Sequence, residues 1–314
     1  MSFHFRPAQK SEAKPLIGLY SESGCGKTIG ALLLAKGFCG DMSKVLMIET
    51  ESGRGEAFAN DPVVGGYQVY PIREEFSPKA YGNAITEAGQ AGFQALIIDS
   101  ASHEWEGASG VLSMAAKNQE TGKKGVLVWQ LPKLEHQREF VLKMLQTPVP
   151  LVVVCMRAKY PMIEVLKDGK KEWQRSTELD PKQSEDILFE MMWHAWFDKK
   201  HICHVTKAPE DGKSIFTANQ MITVETGQRL KAWAAGASNQ PIDRYAQLST
   251  ILTDANIPED SFCEWLIFNG KITVPEGDNK ASIKQLPADK IEQYVTQFSD
   301  VQKAFATWRR KQAA

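Results

Sequence analysis

Cysteine is scarce in this 314-residue chain: Cys25, Cys39, Cys155, Cys203 and Cys263 are an odd number and nowhere approach CxxC spacing. Neither a disulfide framework nor a cysteine zinc site is therefore indicated. Long apolar runs are missing too, since no stretch reaches the roughly 18 uncharged apolar residues of a membrane helix. The start, Met1 to Lys14, is polar and lacks the apolar centre of a signal peptide, so the expectation is a cytosolic chain without a membrane partner. Internal repeats and low-complexity tracts are absent as well. Net charge is only -1, which argues against a protein that coats nucleic acid by bulk charge.

What is present is an ordinary globular composition, 43% hydrophobic and 24% charged, with enough length for one large domain or a large and a small one. The near-zero net charge hides a separation along the chain. Acids exceed bases by about seven between residues 41 and 110, whereas bases exceed acids by about six between 121 and 175.

Pro15 to Tyr20 is a short apolar run, followed by a turn rich in Gly and Ser and then by Thr28 to Lys36 with helical spacing. Lys44 to Ile48 (KVLMI), Ala95 to Ile98 (ALII) and Val149 to Met156 (VPLVVVCM) are continuous aliphatic runs, as expected of strands buried on both faces of a parallel sheet. Helical stretches at Ala80 to Ala91 and Leu134 to Leu145 alternate with them, which predicts an α/β fold with a mainly parallel central sheet. Met162 to Val165 and Lys171 to Arg175 flank an Asp168-Gly169 turn and read as a hairpin with a basic tip. The small, polar, unpatterned stretch from Ala234 to Pro241 marks a boundary between a domain over 1–236 and a small helical domain over 237–314.

The residues from Ser21 to Thr28 (SESGCGKT) match the phosphate-binding pattern GxxxxGK[ST] except that Ser21 replaces the first Gly. A loop of this kind turns successive backbone N–H groups, here at Ser23, Gly24, Cys25, Gly26, Lys27 and Thr28, towards one point at the positive end of a helix. Lys27 would reach the β and γ oxygens of ATP, and Thr28 would ligate Mg²⁺. Asp99, ending the ALIID run, is the second metal-side group expected of such a site. Hydrolysis also needs a group to orient or deprotonate water. Glu51 in IETE is preferred, with Glu104 as the rival; for either, a solvated loop acid is the alternative.

The order GKT, IETE, LIIDS and VVVCMRAK resembles the RecA-like P-loop ATPase core over about residues 15 to 235, and most closely the short RecA-like ATPases that bacteriophages encode as recombination proteins. The resemblance implies that Glu51 activates water, that Asp99 serves the metal, and that the strand Val152 to Met156 ends in a sensor of the γ-phosphate. Arg157 stands near that position, where RecA itself usually has Gln. It further implies a cation delivered to a neighbouring subunit's nucleotide in a homo-oligomer, for which Lys207 is a candidate with Arg157 and Arg229 as rivals and a plain surface lysine as the alternative, and that DNA is met by the basic stretch of Lys123, Lys124, Lys159, Lys167, Lys170, Lys171 and Arg175. Trp173 lies among these cations, and a cation with an aromatic suits unpaired bases; a solvated hairpin with Trp173 packed on the domain is the alternative. The sequence expectation is thus a Mg²⁺- and ATP-dependent enzyme binding single-stranded DNA in recombination, annealing or replication, in bacterial or phage-infected host cytoplasm. A nucleotide-switched protein loader, working through a protein partner of the helical C-terminal domain, is the alternative. A small-molecule phosphotransferase is disfavoured because no arginine-rich lid follows Asp99.

Overall fold

The computed structural model describes residues 13–167, 170–217, 220–236, 244–274 and 281–312. The chain divides into two compact units, Met1–Asn239 and Gln240–Ala314.

The first unit is an α/β layered structure. Its strands are β1 (Leu16–Ser21), β2 (Val45–Glu49), β3 (Gln68–Pro71), β4 (Ala95–Asp99), β5 (Leu151–Lys159), β6 (Met162–Lys167), β7 (Lys170–Arg175), β8 (Asp180–Pro181), β9 (Trp193–Phe197) and β10 (Cys203–Lys207). The central sheet runs in the order β10-β9-β1-β5-β4-β2-β3. All neighbours from β9 to β3 are parallel; β10 runs antiparallel to β9, and β8 pairs antiparallel with the end of β5. The sheet is therefore mixed but mostly parallel.

Successive strand residues point to opposite faces, and here both faces are covered. Ile17, Leu19, Met47, Ile97, Val153 and Cys155 enter one core, packed by helix α1 (Lys27–Cys39). Leu46, Ile48, Leu96, Ile98, Val152 and Val154 enter the other, covered by α2 (Pro78–Gln90). This is why KVLMI, ALII and LVVVCM read as unbroken apolar runs. Helix α2 starts cleanly, with Ser77 accepting a hydrogen bond from the Ala80 N–H and Pro78 in the first turn. Between β4 and β5 the chain forms α3 (Ser102–Glu106), α4 (Val111–Glu120), α5 (Val126–Glu135), a π-helical segment (His136–Val141) and α6 (Leu142–Gln146). The helix α7 (Glu185–Glu190) precedes β9, and α8 (Val224–Ala234) closes the unit. Helices α1 and α8 meet backbone to backbone: a Cβ at Gly37 would overlap the Val224 carbonyl oxygen, and one at Gly227 the Leu34 carbonyl oxygen.

The predicted hairpin forms, as β6 paired with β7 from Met162–Arg175 to Lys167–Lys170; its Asp168-Gly169 turn lies outside the described residues. It is a separate ribbon, not part of the central sheet.

The second unit holds α9 (Arg244–Asp254), α10 (Glu259–Phe268), α11 (Ala288–Thr296) and α12 (Phe298–Gln312). Leu248, Leu252, Phe262, Leu266, Ile291 and Phe305 form its core, with Trp265 crossing Tyr294 and Phe305 edge-on. Among the described residues no helix is long and apolar enough to cross a membrane.

Candidate active site

At the carboxyl ends of the parallel strands, where ligands bind in open α/β sheets, lies a cavity of about 630 Å³. Lys27, Thr28, Glu51, Asp99 and Arg157 line it, with Ser23, Gly24, Arg54, Phe58 and Lys182 completing the wall.

The loop between β1 and α1 supplies the first group. Gly24 and Gly26 both have positive φ, 80° and 99°, a conformation glycine adopts without the Cβ penalty. At Gly26 a side chain would also crowd His201 Nδ1, 3.0 Å from a Cβ there. Lys27 is only 8% exposed. Its ammonium donates to Ser21 O at 3.2 Å, Ser21 Oγ at 3.1 Å and Glu22 O at 3.0 Å, which satisfies all three donors of a buried cation. Ser21, the departure from the expected Gly, thus supplies two of the three oxygens. Cys25 is buried beneath the loop as a small residue.

Thr28 Oγ1 donates to Asp99 Oδ2 at 2.6 Å. Burial raises the Asp99 pKa, partly offset by the Thr28 hydrogen bond and the Lys27 charge. Among the described residues no group of three or more His, Cys, Asp or Glu side chains could hold a metal by itself. A hydroxyl and a carboxylate already in contact fit a hard divalent cation that takes its remaining oxygens from a bound ligand and water.

Glu51 follows β2, where the buried Glu49 shapes the turn. Glu49 Oε1 accepts from the Glu51 N–H at 2.7 Å and Oε2 from the Gly53 N–H at 3.0 Å, while Arg73 pairs with the same carboxylate. Glu49 is thereby a positioning group, and Glu51 is left facing the cavity. There Arg157 grips it with two bonds, Nε to Oε1 at 2.8 Å and Nη2 to Oε2 at 2.6 Å. Burial pushes the Glu51 pKa up, but the Arg157 hydrogen bond and charge outweigh it, so the net displacement is downward. Arg157 emerges from β5 between β1 and β4, its N–H donating to Ser102 Oγ at 2.9 Å.

Glu104 is placed elsewhere. The turn into α3 tucks it wholly inside, where His136 Nδ1 lies 2.9 Å from Oε1 and Gln183 Nε2 donates to Oε2 at 3.1 Å. It does not line the cavity, and it serves to tie α3 to the π-helical segment. Lys207 also lies apart, on β10, with its ammonium donating to the Phe189 carbonyl at 2.9 Å and lining a second cavity of about 420 Å³.

The basic candidates are dispersed over three elements. Lys123 and Lys124 are exposed in the α4–α5 connection, Lys123 donating to Asn118 Oδ1 at 2.8 Å. Lys159 ends β5. Lys171, Trp173 and Arg175 alternate along β7, and by register share one ribbon face with Met162, Glu164 and Leu166. Lys167 and Lys170 pair at the end of the register. Trp173 is 69% exposed rather than packed on the domain. Arg175 lies over the Tyr160 ring, 5.4 Å from its centroid, and Glu164 offsets one cation by pairing with Lys171 at 2.6 Å.

Several site groups carry no motif in the sequence. Arg73 and Lys182 come from loops and Arg54 opens a short 3-10 helix (Arg54–Phe58), and Lys182 pairs with Glu106 at 3.0 Å. His103 stands 2.8 Å from Thr50 Oγ1, its pKa lowered by burial and by the Arg157 charge. Only Glu49, inside the IETE string, was within reach of a motif search.

Comparison with known proteins adds no relative: no family model matches the chain, and no curated protein matches it significantly.

Proposed function

We propose that the chain is a Mg²⁺- and ATP-dependent RecA-like P-loop ATPase that binds single-stranded DNA as a homo-oligomer, in recombination, annealing or replication of the phage type. One observation carries the reading: Lys27, the Thr28–Asp99 pair and Glu51 converge on a single cavity at the carboxyl ends of the parallel strands. The N-terminal end of α1 and the Lys27 ammonium bind the β and γ phosphates, the ammonium exchanging its Ser21 and Glu22 oxygens for phosphate oxygens. Thr28 and Asp99 would hold Mg²⁺, which neutralises charge building on the phosphate oxygens. Glu51 orients a water molecule for in-line attack on the γ-phosphorus and accepts its proton. The exposed Trp173, flanked by Lys171 and Arg175, stacks on unpaired bases while the cations neutralise phosphates.

The direct test is the ATP hydrolysis rate of the purified protein with and without single-stranded DNA, with Lys27→Ala as the blank. DNA-stimulated turnover that the variant lacks supports the reading. Turnover indifferent to DNA supports the second reading, a nucleotide-switched protein loader. That reading is favoured by a row of exposed leucines, Leu127, Leu131 and Leu134 on α5 and Leu142 and Leu145 on α6, whose chemistry suits a protein surface better than DNA.

A further inference from the structure

We propose that Arg157 holds Glu51 off catalytic duty while the phosphate site is empty, and that the terminal phosphoryl group of a bound nucleoside triphosphate takes the guanidinium and releases the carboxylate. The inference rests on the nucleotide reading above and names how that site tells triphosphate from diphosphate.

The two-point grip between Arg157 and Glu51 lies inside the same cavity as Lys27, Thr28 and Asp99. A carboxylate whose two oxygens both face a guanidinium is a weaker base than a free one, and the fork blocks the direction in which water would be held. Both partners are fixed at the backbone. The Arg157 N–H donates to Ser102 Oγ at 2.9 Å and its carbonyl accepts from the Lys182 N–H at 2.7 Å. The Glu51 N–H is pinned by Glu49. Exchange of partners therefore needs only rotation about the Arg157 side-chain torsions, with no movement of β5.

The other cations of the cavity are differently placed. Lys27 is tied to the loop oxygens, Lys182 is engaged with Glu106 at 3.0 Å, and Arg54 is 72% exposed and reaches Glu51 only at 3.8 Å. Arg157 alone combines a planar fork with a position between the loop strand β1 and the Asp99 strand β4. A terminal phosphoryl group offers three oxygens and nearly two negative charges to that fork, against one charge on Glu51. A diphosphate, ending one phosphate short, leaves the grip in place.

Binding of Mg-adenylyl imidodiphosphate and of Mg-ADP, followed by fluorescence titration, tests this without turnover. Glu51→Gln removes the competitor for Arg157, so it is expected to bind the triphosphate analogue roughly tenfold tighter than wild type, the scale of one charge-assisted contact, with ADP affinity unchanged. Arg157→Gln is expected to bind the analogue roughly tenfold more weakly, again with ADP unchanged. The double variant should bind it no better than Arg157→Gln alone, and Arg157→Lys, which keeps the charge without the fork, should recover part of the loss. Intact ADP binding certifies that each variant is folded. An unchanged ratio of triphosphate to ADP affinity in Glu51→Gln overturns the proposal, as does tightening that persists in the double variant. A wild-type protein that binds neither nucleotide overturns the nucleotide reading itself, which separates the two failures.

Discussion

The chain on either side of Arg157 behaves in opposite ways. Leu151 to Met156 of β5 is buried between two parallel neighbours and two cores, whereas beyond Pro161 the β6–β7 ribbon exposes Met162, Ile163, Leu166 and Trp173. The buried segment aims Arg157 at the cavity because every residue before it is fixed by packing. The ribbon has no such support, and its apolar side chains are held by nothing in the first unit's cores. One stretch of chain thus spends its apolar residues on placing a charge, and the next leaves them exposed. On the proposed function, substitutions in the first are expected to act on chemistry or stability, and those in the second on binding alone.

The largest expected effect falls on the buried side. Glu51→Gln lowers ATP turnover by about 10²–10⁴-fold, the usual worth of a positioned base, measured as steady-state phosphate release; turnover within threefold of wild type would detach Glu51 from the chemistry and break the contrast. Next, Lys27→Ala weakens Mg-ATP binding by roughly a hundredfold, since a buried charged donor to phosphate is lost. An unchanged affinity by equilibrium titration would remove the phosphate-loop assignment. On the exposed side, Trp173→Ala weakens single-stranded DNA binding by about 1–3 kcal/mol for each base it stacks, and leaves the melting temperature where it was. A lowered melting temperature would show instead that the ribbon is packed. Replacing Lys167, Lys170 and Lys171 together reduces the salt slope of DNA binding by about two, at roughly 0.7 per phosphate released on a single strand.

The smallest effect is a pH dependence. Because the net pKa of Glu51 lies below the ordinary carboxylate value, the stability from its pair with Arg157 is present above the unfolded pKa, about 4.3. It is lost as pH falls through the lowered folded value. The melting-temperature gap between wild type and Arg157→Gln should hold from neutral pH down to about 5 and close in stronger acid. A gap that is constant with pH would assign the loss to packing of the arginine stem instead.

The parallel core was legible because double-sided burial writes itself as KVLMI, ALII and LVVVCM. The strand β3, with its half-exposed QVYP, and the two-residue β8 carry no periodic signal, being held by neighbours rather than by their own pattern. The π-helical segment from His136 to Val141 is silent for a related reason, since its altered winding reads as one more helical turn. Glu51 is the preferred base in sequence, with Glu104 a rival because both follow a strand by a few residues. The fold of α3 sets Glu104 apart by turning it inward onto His136 and Gln183. The grip of Arg157 on Glu51 spans 106 residues, a separation at which no local pattern operates.

The meeting of α1 and α8 through Gly37 and Gly227 has a mechanical consequence. With no room for a side chain at either glycine, any larger residue there would force the two helices apart. The crossing joins α1, which carries Lys27 and Thr28 at its amino end, to α8, whose last turn holds Trp233, edge-on to Trp193 at a centroid distance of 4.7 Å. A tryptophan pair thus stands on the helix against which α1 packs, a native probe with which a movement of α1 would be sought.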